Sequence, residues 1–517
     1  MTQTKLILTT ALFFTLFSNY SFFSNVAEIY PFKGMNIIYI LSLTTLLFTF
    51  MVFLFSLLSS RYTIKPILII LLIISSLTSY FMNSYHVVID SDMIRNSMQT
   101  NLTESLDLFN INMVLYLLFL GILPSFLIYK VELKSSSFKV EFFRKIKTLF
   151  LTLLLMVVIL FSFSKFYTSF FREHKPLRYY TNPTYWIYSI GDYIAKTLNS
   201  GEVIIKPIGV DAKITNSNNE PKLVIMVVGE ATRADHFSLN GYKRDTNPLL
   251  KKENIINLPY VSSCGTSTAH SVPCMFSIFD RDDYSYKKGI STENVLDVLH
   301  HTNQIEILWR DNNSNSKGVA LRVPFEDYKT DQSNTICDIE CRDEGMLVGL
   351  DEYIKKQKSK DILIVLHQMG NHGPAYNKRY TKEFKRFTPV CQTNQLEECS
   401  QESINNAYDN ALLYTDYFLS EVIHLLKKYN PTHKTTMIYM SDHGESLGEH
   451  GLYLHGLPYF MAPEAQTHVG AVVWFGENNQ KSIDPSKEYS HDNLFHTLLG
   501  LFNVETKVYK KELDMFK

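Results

Sequence analysis

The sequence predicts an α-helical membrane domain of five spans followed by an exported α/β domain. Three observations carry this. Five long apolar segments stand near the start of the chain, and all six cysteines lie after the last of them. The rest of the chain repeats one pattern, a short β-rich run that ends in polar, metal-capable residues.

The apolar segments are Leu6–Phe23, Met35–Ser60, Pro66–Met82, Ile111–Tyr129 and Thr148–Ser164, and none contains Asp, Glu, Lys or Arg. Each has about the 17–25 residues that a helix needs to cross a bilayer. The first lacks a small-residue cleavage site and is followed by more spans, so it reads as retained rather than as a signal peptide. Arg61 and Lys65 follow the second span. Lys130, Lys134, Lys139, Arg144, Lys145 and Lys147 lie between the fourth and fifth. The long loop from Asn83 to Asn110 holds only Arg95. Positive charge stays inside, so the N-terminus and the basic loops are expected in the cytoplasm. An odd number of spans then places everything after Ser164 outside.

Cysteine usage agrees. Cys264, Cys274, Cys337, Cys341, Cys391 and Cys399 are an even set confined to the exported part, which reads as a disulfide framework. Short separations favour Cys264–Cys274, Cys337–Cys341 and Cys391–Cys399. A zinc cluster is the alternative, but no C-x-x-C spacing supports it. Net charge is −1, so no global basic field favours nucleic acid.

The expected boundaries are 1–165 for the membrane domain, 166–220 for an interfacial helix and linker, and 221–517 for the catalytic domain. The connector mixes Phe166, Tyr167, Phe170, Phe171 and Trp186 with Lys165, Arg172, Lys175 and Arg178, a composition suited to the membrane surface. Strands are expected at Lys222–Val228, Ile305–Trp309, Ile362–Leu366, Thr436–Met440 and Ala471–Phe475, with a helix from Ser403 to Tyr429. Open α/β sheets place ligands at the carboxyl ends of their strands, and there this sequence has Glu230, Asp442 and His443.

The stretch Ser262-Ser263-Cys264-Gly265-Thr266-Ser267-Thr268-Ala269 reads as a tight loop, with a helix expected over Met275–Phe279. A loop entering a helix offers free N–H groups and a positive dipole end to a phosphoryl oxyanion. Thr268 is the expected nucleophile. A threonine hydroxyl is weak at neutral pH and needs a base or a metal. Glu230, Asp442, His443 and the Thr268 oxygen form an N/O set that suits zinc, with manganese possible. His372 and His455 are candidates for proton transfer, phosphate binding or a second metal. His367 and His468 are weaker, with structural roles favoured.

Four motifs now point to a family. They are Gly229-Glu230-Ala231-Thr232-Arg233-Ala234-Asp235-His236, the Ser263–Ala269 loop, His372-Gly373-Pro374-Ala375-Tyr376, and Ser441-Asp442-His443-Gly444-Glu445-Ser446-Leu447-Gly448-Glu449. Their order and content resemble the phosphoethanolamine transferases, which include lipid A modifying and polymyxin-resistance enzymes. The resemblance implies a bacterial inner-membrane protein with a periplasmic domain of alkaline-phosphatase and sulfatase type. It implies a phosphatidylethanolamine donor, a lipid A phosphate or other surface-glycan acceptor, and a phosphoethanolamine-threonine intermediate. It extends to the loop Asp92–Glu104, and implies that Asn96, Thr100, Glu104, Ser314 and Lys317 help hold the substrate, with His372 and His455. A spacing of four puts Asn96, Thr100 and Glu104 on one face of a helix. The rivals are a sulfatase or glycerol-phosphate polymerase of the same superfamily, and a receptor on a degenerate hydrolase fold. The C/S-x-P-x-R context of a sulfatase nucleophile is absent, and intact Glu230, Thr268, Asp442 and His443 argue against a degenerate site.

Overall fold

The computed structural model describes residues 1–517 except 59, 101, 135, 199–203, 216–219, 358–359, 480 and 517, with the side chains of 102–104, 173 and 198 also outside the description. Contacts divide the chain into two compact units. One is Met1–Ile94 with Phe109–Ile194, and the other is Arg95–Leu108 with Ala195–Lys517.

In the first unit, four helices are long and apolar enough to cross a membrane: Met35–Leu58, Ile64–Ser84, Ile111–Lys130 and Phe138–Ser162. Gln3–Phe17 and Tyr20–Ile29 are bent by 55° and make a fifth span if taken together. The first span, expected as one run from Leu6 to Phe23, is therefore broken at Ser18 and Asn19. The break is held by polar partners. Asn19 Nδ2 donates to Phe14 O at 2.9 Å and to Asn182 O at 2.6 Å, and Asn182 N donates back to Asn19 Oδ1 at 2.9 Å. Asn182 Nδ2 reaches Ser75 O, Thr78 Oγ1 and Ser79 Oγ, while Trp186 Nε1 donates to Asn182 Oδ1 at 3.1 Å. Both asparagines are buried, so the helix is interrupted where protein covers it and this network satisfies the freed groups.

The last span also differs from expectation. It begins at Phe138 rather than Thr148, so Lys139, Arg144, Lys145 and Lys147 lie in its opening turns instead of in a loop. Long basic stems can lie along apolar surface with their charged heads in water, which lets a helix run past the edge of its apolar stretch. The span Ile111–Lys130 contains a π-helical turn at Leu117–Ile122. At Gly121, a Cβ would lie 2.7 Å from Ser76 Oγ, so glycine permits this close helix approach.

The second unit is built on a seven-stranded sheet. Its strands are β1 Lys222–Gly229, β2 Ile256–Asn257, β3 Ile305–Asp311, β4 Phe325–Asp327, β5 Asp361–His367, β6 Lys434–Ser441 and β7 Ala471–Phe475. Their order is β2-β7-β6-β1-β5-β3-β4. The five strands from β6 to β4 are parallel neighbours, and β7 runs antiparallel to both β6 and β2. Strand β1, Lys-Leu-Val-Ile-Met-Val-Val-Gly, is buried on both faces, as an interior parallel strand must be. The expected strands are all present. Short β2 and β4 have too little pattern to be read from sequence.

The long helix Gln401–Lys427 packs against β6 and buries Ile404, Ala411, Phe418 and Val422. Three disulfides, Cys264–Cys274, Cys337–Cys341 and Cys391–Cys399, have the pairing that short separation favoured. The segment Arg95–Leu108 is not one helix. Ser91–Gln99 and Leu102–Asp107 are separate, and Thr100 lies outside both. Asn96 and Thr100 therefore do not share a continuous helical face, which corrects that expectation.

Candidate active site

Parallel register assembles the site. Gly229 at the end of β1 pairs with Ser441 at the end of β6, so the next residues, Glu230 and Asp442, emerge side by side. Neighbouring β5 pairs His367 with Val228, and β3 pairs Asp311 with His367. Four strand ends thus deliver Glu230, Asp442, His367 and Asp311 to one edge.

Thr268 arrives from the other side. The helix expected over Met275–Phe279 instead spans Thr268–Met275, with Ser267 as its cap residue. Thr268 is its first residue, where backbone N–H groups lack helical partners. Thr268 Oγ1 lies 3.0 Å from Glu230 Oε2 and 3.3 Å from His443 Nε2. Ser271 Oγ donates to Asp442 O, which ties this helix to the metal-capable turn.

The chemistry of this donor set fits a divalent cation. Glu230, Asp442 and His443 are fully buried, with ligand atoms within 4.8 Å of one another. His443 Nδ1 lies 2.8 Å from Gly444 O, so Nδ1 carries the proton and Nε2 faces the carboxylates. His443 Nε2 is 3.2 Å from Glu230 Oε1 and 3.4 Å from Asp442 Oδ2, and those two oxygens accept no hydrogen bond. Buried polar atoms are normally satisfied, and convergent carboxylate oxygens beside an imidazole nitrogen are what a cation satisfies. Burial alone lowers His443, but Asp442 and Glu230 together raise it to about 10. Burial and the charge of Glu230 push Asp442 up to about 7, whereas His443 outweighs burial and holds Glu230 below its ordinary range. Two carboxylates sharing one space cannot both be comfortable as anions without a positive partner. Glycine is required at 444, where a Cβ would sit 2.1 Å from Ala465 O.

A ring of histidines lies beside these ligands. The His443 and His455 rings are 4.2 Å apart and those of His455 and His372 are 5.6 Å apart. His455 Nδ1 lies 3.2 Å from Glu445 Oε1. Burial raises Glu445 to about 8. Among the described residues, the one group of three metal-capable side chains is Glu230, Asp442 and His443. His372 and His455 add no second such group.

Two residues, Asn313 and His491, entered the site without being singled out from sequence. Asn313 Nδ2 donates to Glu230 Oε2 at 2.8 Å and to Gln368 O at 2.9 Å, fixing the carboxylate. Ser314 Oγ in turn donates to Asn313 Oδ1 at 2.9 Å. The signal was the polar run Asn312-Asn313-Ser314 at a strand end. His491 is buried, and burial drives it down to about 4. Its Nε2 lies 2.9 Å from Ser441 O, while its Nδ1 accepts from Cys264 N at 3.1 Å. This neutral imidazole joins the loop before Thr268 to the metal-capable strand, over a distance in sequence that no local pattern reveals.

The remaining expected residues are spread around this centre. Ser314 and Lys317 are buried in the loop after β3. His367 pairs with Asp311 at 2.9 Å, and His468 Nε2 lies 2.6 Å from Pro259 O, a packing role. Thr100 Oγ1 donates to Asn96 O at 2.8 Å. The side chain of Glu104 lies outside the described residues.

Comparison with known proteins agrees with this geometry. The sulfatase family matches residues 222–504, and the family described as phosphoethanolamine transferase EptA/EptB matches residues 47–198. Phosphatidylethanolamine transferase Mcr-1 of Escherichia coli is 44% identical, over 96% of this chain and 94% of that protein. Phosphoethanolamine transferase EptA of Escherichia coli K12 is 36% identical, over 99% of this chain and 96% of that protein. The solved structure of the integral membrane lipooligosaccharide phosphoethanolamine transferase A of Neisseria meningitidis superposes with a TM-score of 0.95 at 35% identity, covering 99% of this chain and 98% of that one.

Proposed function

The chain belongs to the phosphoethanolamine transferases of the sulfatase superfamily, and from that premise we propose that it moves phosphoethanolamine from phosphatidylethanolamine to a lipid A phosphate or another surface-glycan acceptor. One observation carries the reading: Thr268 Oγ1 stands at a helix start within 3.3 Å of both Glu230 Oε2 and His443 Nε2.

Glu230, Thr268, Asp442 and His443 would hold zinc, which lowers the pKa of an alcohol and offsets phosphoryl charge. Glu230 Oε2, aligned by Asn313, accepts the hydroxyl proton of Thr268 as Oγ1 attacks phosphorus. A bond forms from Oγ1 to phosphorus, and the bond from phosphorus to the diacylglycerol oxygen breaks. His455, with Nδ1 turned to Glu445, protonates that leaving oxygen from its other nitrogen. The acceptor oxygen then attacks the phosphorus and gives its proton to His455, as the bond from phosphorus to Oγ1 breaks and Oγ1 takes back its proton from Glu230. Lys317 offsets phosphoryl charge, while His372, Ser314, Asn96, Thr100 and Glu104 hold the donor headgroup.

The same reading assigns 1–165 to the inner membrane, 166–220 to an interfacial connector, and 221–517 to the periplasm. Mass spectrometry of full-length protein incubated with phosphatidylethanolamine tests it. A phosphoethanolamine adduct on Thr268, chased by added lipid A, is expected. Lipid A modification that persists in Thr268→Ala refutes the nucleophile.

A further inference from the structure

The first unit contains a basic recess that the transfer reaction does not use. It lies at the start of helix Gln3–Phe17, between that helix and the spans Met35–Leu58 and Phe138–Ser162. Lys134, Arg144 and Lys145 line it, opposed by one carboxylate, Glu141. The first turn of a 15-residue helix, capped by Thr2 whose hydroxyl accepts from Lys5 N, lines it through Thr2, Gln3 and Thr4, so the positive dipole end lies beside the same space.

An independent observation points to a ligand. Ser56 lines the recess and is only 2% exposed, yet its hydroxyl has no hydrogen-bond partner. Serine in an apolar helix ordinarily bonds the carbonyl one turn back, as the neighbouring Thr49 does with Thr45 O at 2.6 Å. A buried hydroxyl left without a partner is costly, and an incoming acceptor oxygen relieves it.

Two of the cations hold neutral oxygens. Arg144 Nη1 donates to Ser136 Oγ at 3.2 Å, and Lys145 Nζ to Leu57 O at 3.2 Å. Neither partner is an anion. Glu141 Oε1 accepts from Ser136 N at 3.3 Å. Two or three cations, a helix start and a hydroxyl donor match a phosphate bearing full negative charge. The surroundings match acyl chains. Leu8 and Leu12 on the first helix, and Leu57 and Leu58 on the second span, are each at least 40% exposed.

We propose that this recess binds the phosphate of an anionic phospholipid, distinct from the zwitterionic donor. A basic pocket between membrane helices on the basic-loop side is a recognised setting for such headgroups. A zwitterionic headgroup fits less well, because its ammonium meets the same lysines and arginine.

Native mass spectrometry of the delipidated full-length protein in detergent tests the proposal, with phosphatidylglycerol, phosphatidylethanolamine and inorganic phosphate added separately. Wild type should retain phosphatidylglycerol in preference to phosphatidylethanolamine. Arg144→Gln, an exposed change that leaves the helix intact, should weaken retention by about fivefold. Ser56→Ala should weaken it further while raising, not lowering, the thermal midpoint of the apo-protein, because it removes an unsatisfied buried hydroxyl. Equal retention of both lipids by wild type overturns the proposal, as does undiminished phosphatidylglycerol in both variants. Binding of inorganic phosphate with no retained phosphatidylglycerol also overturns it, in favour of a free-anion site.

Discussion

The ion pair between Asp107 and Arg379 offers a test of how the segment Arg95–Leu108 is fastened to its unit. Arg379 is 1% exposed at its side chain and spends its three nitrogens on three partners. Nη2 donates to Asp107 Oδ2 at 2.8 Å, Nη1 to Glu340 Oε2, and Nε to the carbonyl of His372 at 2.7 Å. Asp107 is held also by Lys378. Burial raises the Asp107 carboxyl, but Arg379 and Lys378 outweigh it and hold it below its ordinary range. Removing one member of a buried pair leaves an uncompensated charge and costs about 3–5 kcal/mol. Arg379→Gln should therefore lower the unfolding midpoint by about 6–20 °C, at about 2–4 °C per kcal/mol for a domain of a few hundred residues. Asp107→Asn leaves Glu340 and the carbonyl on Arg379, so it should cost less, about 1–3 kcal/mol. The double variant should fall short of additivity by about 1–3 kcal/mol. Full-length protein in detergent, followed by tryptophan fluorescence, reports this through buried Trp309 and Trp474. A depressed carboxylate stabilises above the unfolded pKa of about 3.9, and this contribution fades as pH falls through the folded value. Additive losses, or an Arg379→Gln cost below about 1 kcal/mol, would show that the pair does not fasten the segment.

Two further outcomes follow from the site and a third from a buried carboxylate away from it. Asn313→Ala removes the amide that holds Glu230, so kcat should fall by about 10–100-fold while bound zinc falls less than in a ligand variant; unchanged turnover would remove Asn313 from the site. Asp442→Ala or His443→Ala should deplete zinc together with activity, and elemental analysis showing full occupancy would mean the ligands are misassigned. Asp416, buried and accepting from Leu249 N and Leu250 N, is pushed up to about 7 by burial. Its folded value lies above the unfolded one, so lowering the pH from about 8 to about 5 should favour wild type over Asp416→Asn. A stability difference that is flat in urea titrations across that range would refute this.

The sequence by itself determined the parts whose cause is local. Apolar length gave the spans, because a bilayer rewards about 20 uncharged residues wherever they occur. Cysteine placement gave three pairings across 10, 4 and 8 residues, since short loops bring their ends together. Polar residues at the ends of β1 and β6 gave Glu230, Asp442 and His443. What depended on distant partners was hidden. Asn19 breaks the first span only because Asn182 answers it from 163 residues away. The basic run before Thr148 reads as a loop, yet the helix starts at Phe138 and carries those charges outward. The even spacing of Asn96, Thr100 and Glu104 suggested one helix, but the chain ends its helix at Gln99 and starts another at Leu102. Asn313 and His491 contact Glu230 and Ser441 across 83 and 50 residues. Composition and periodicity register what a residue does for its neighbours in sequence. Strand order and register decide which far residues meet, and only the folded chain contains that information.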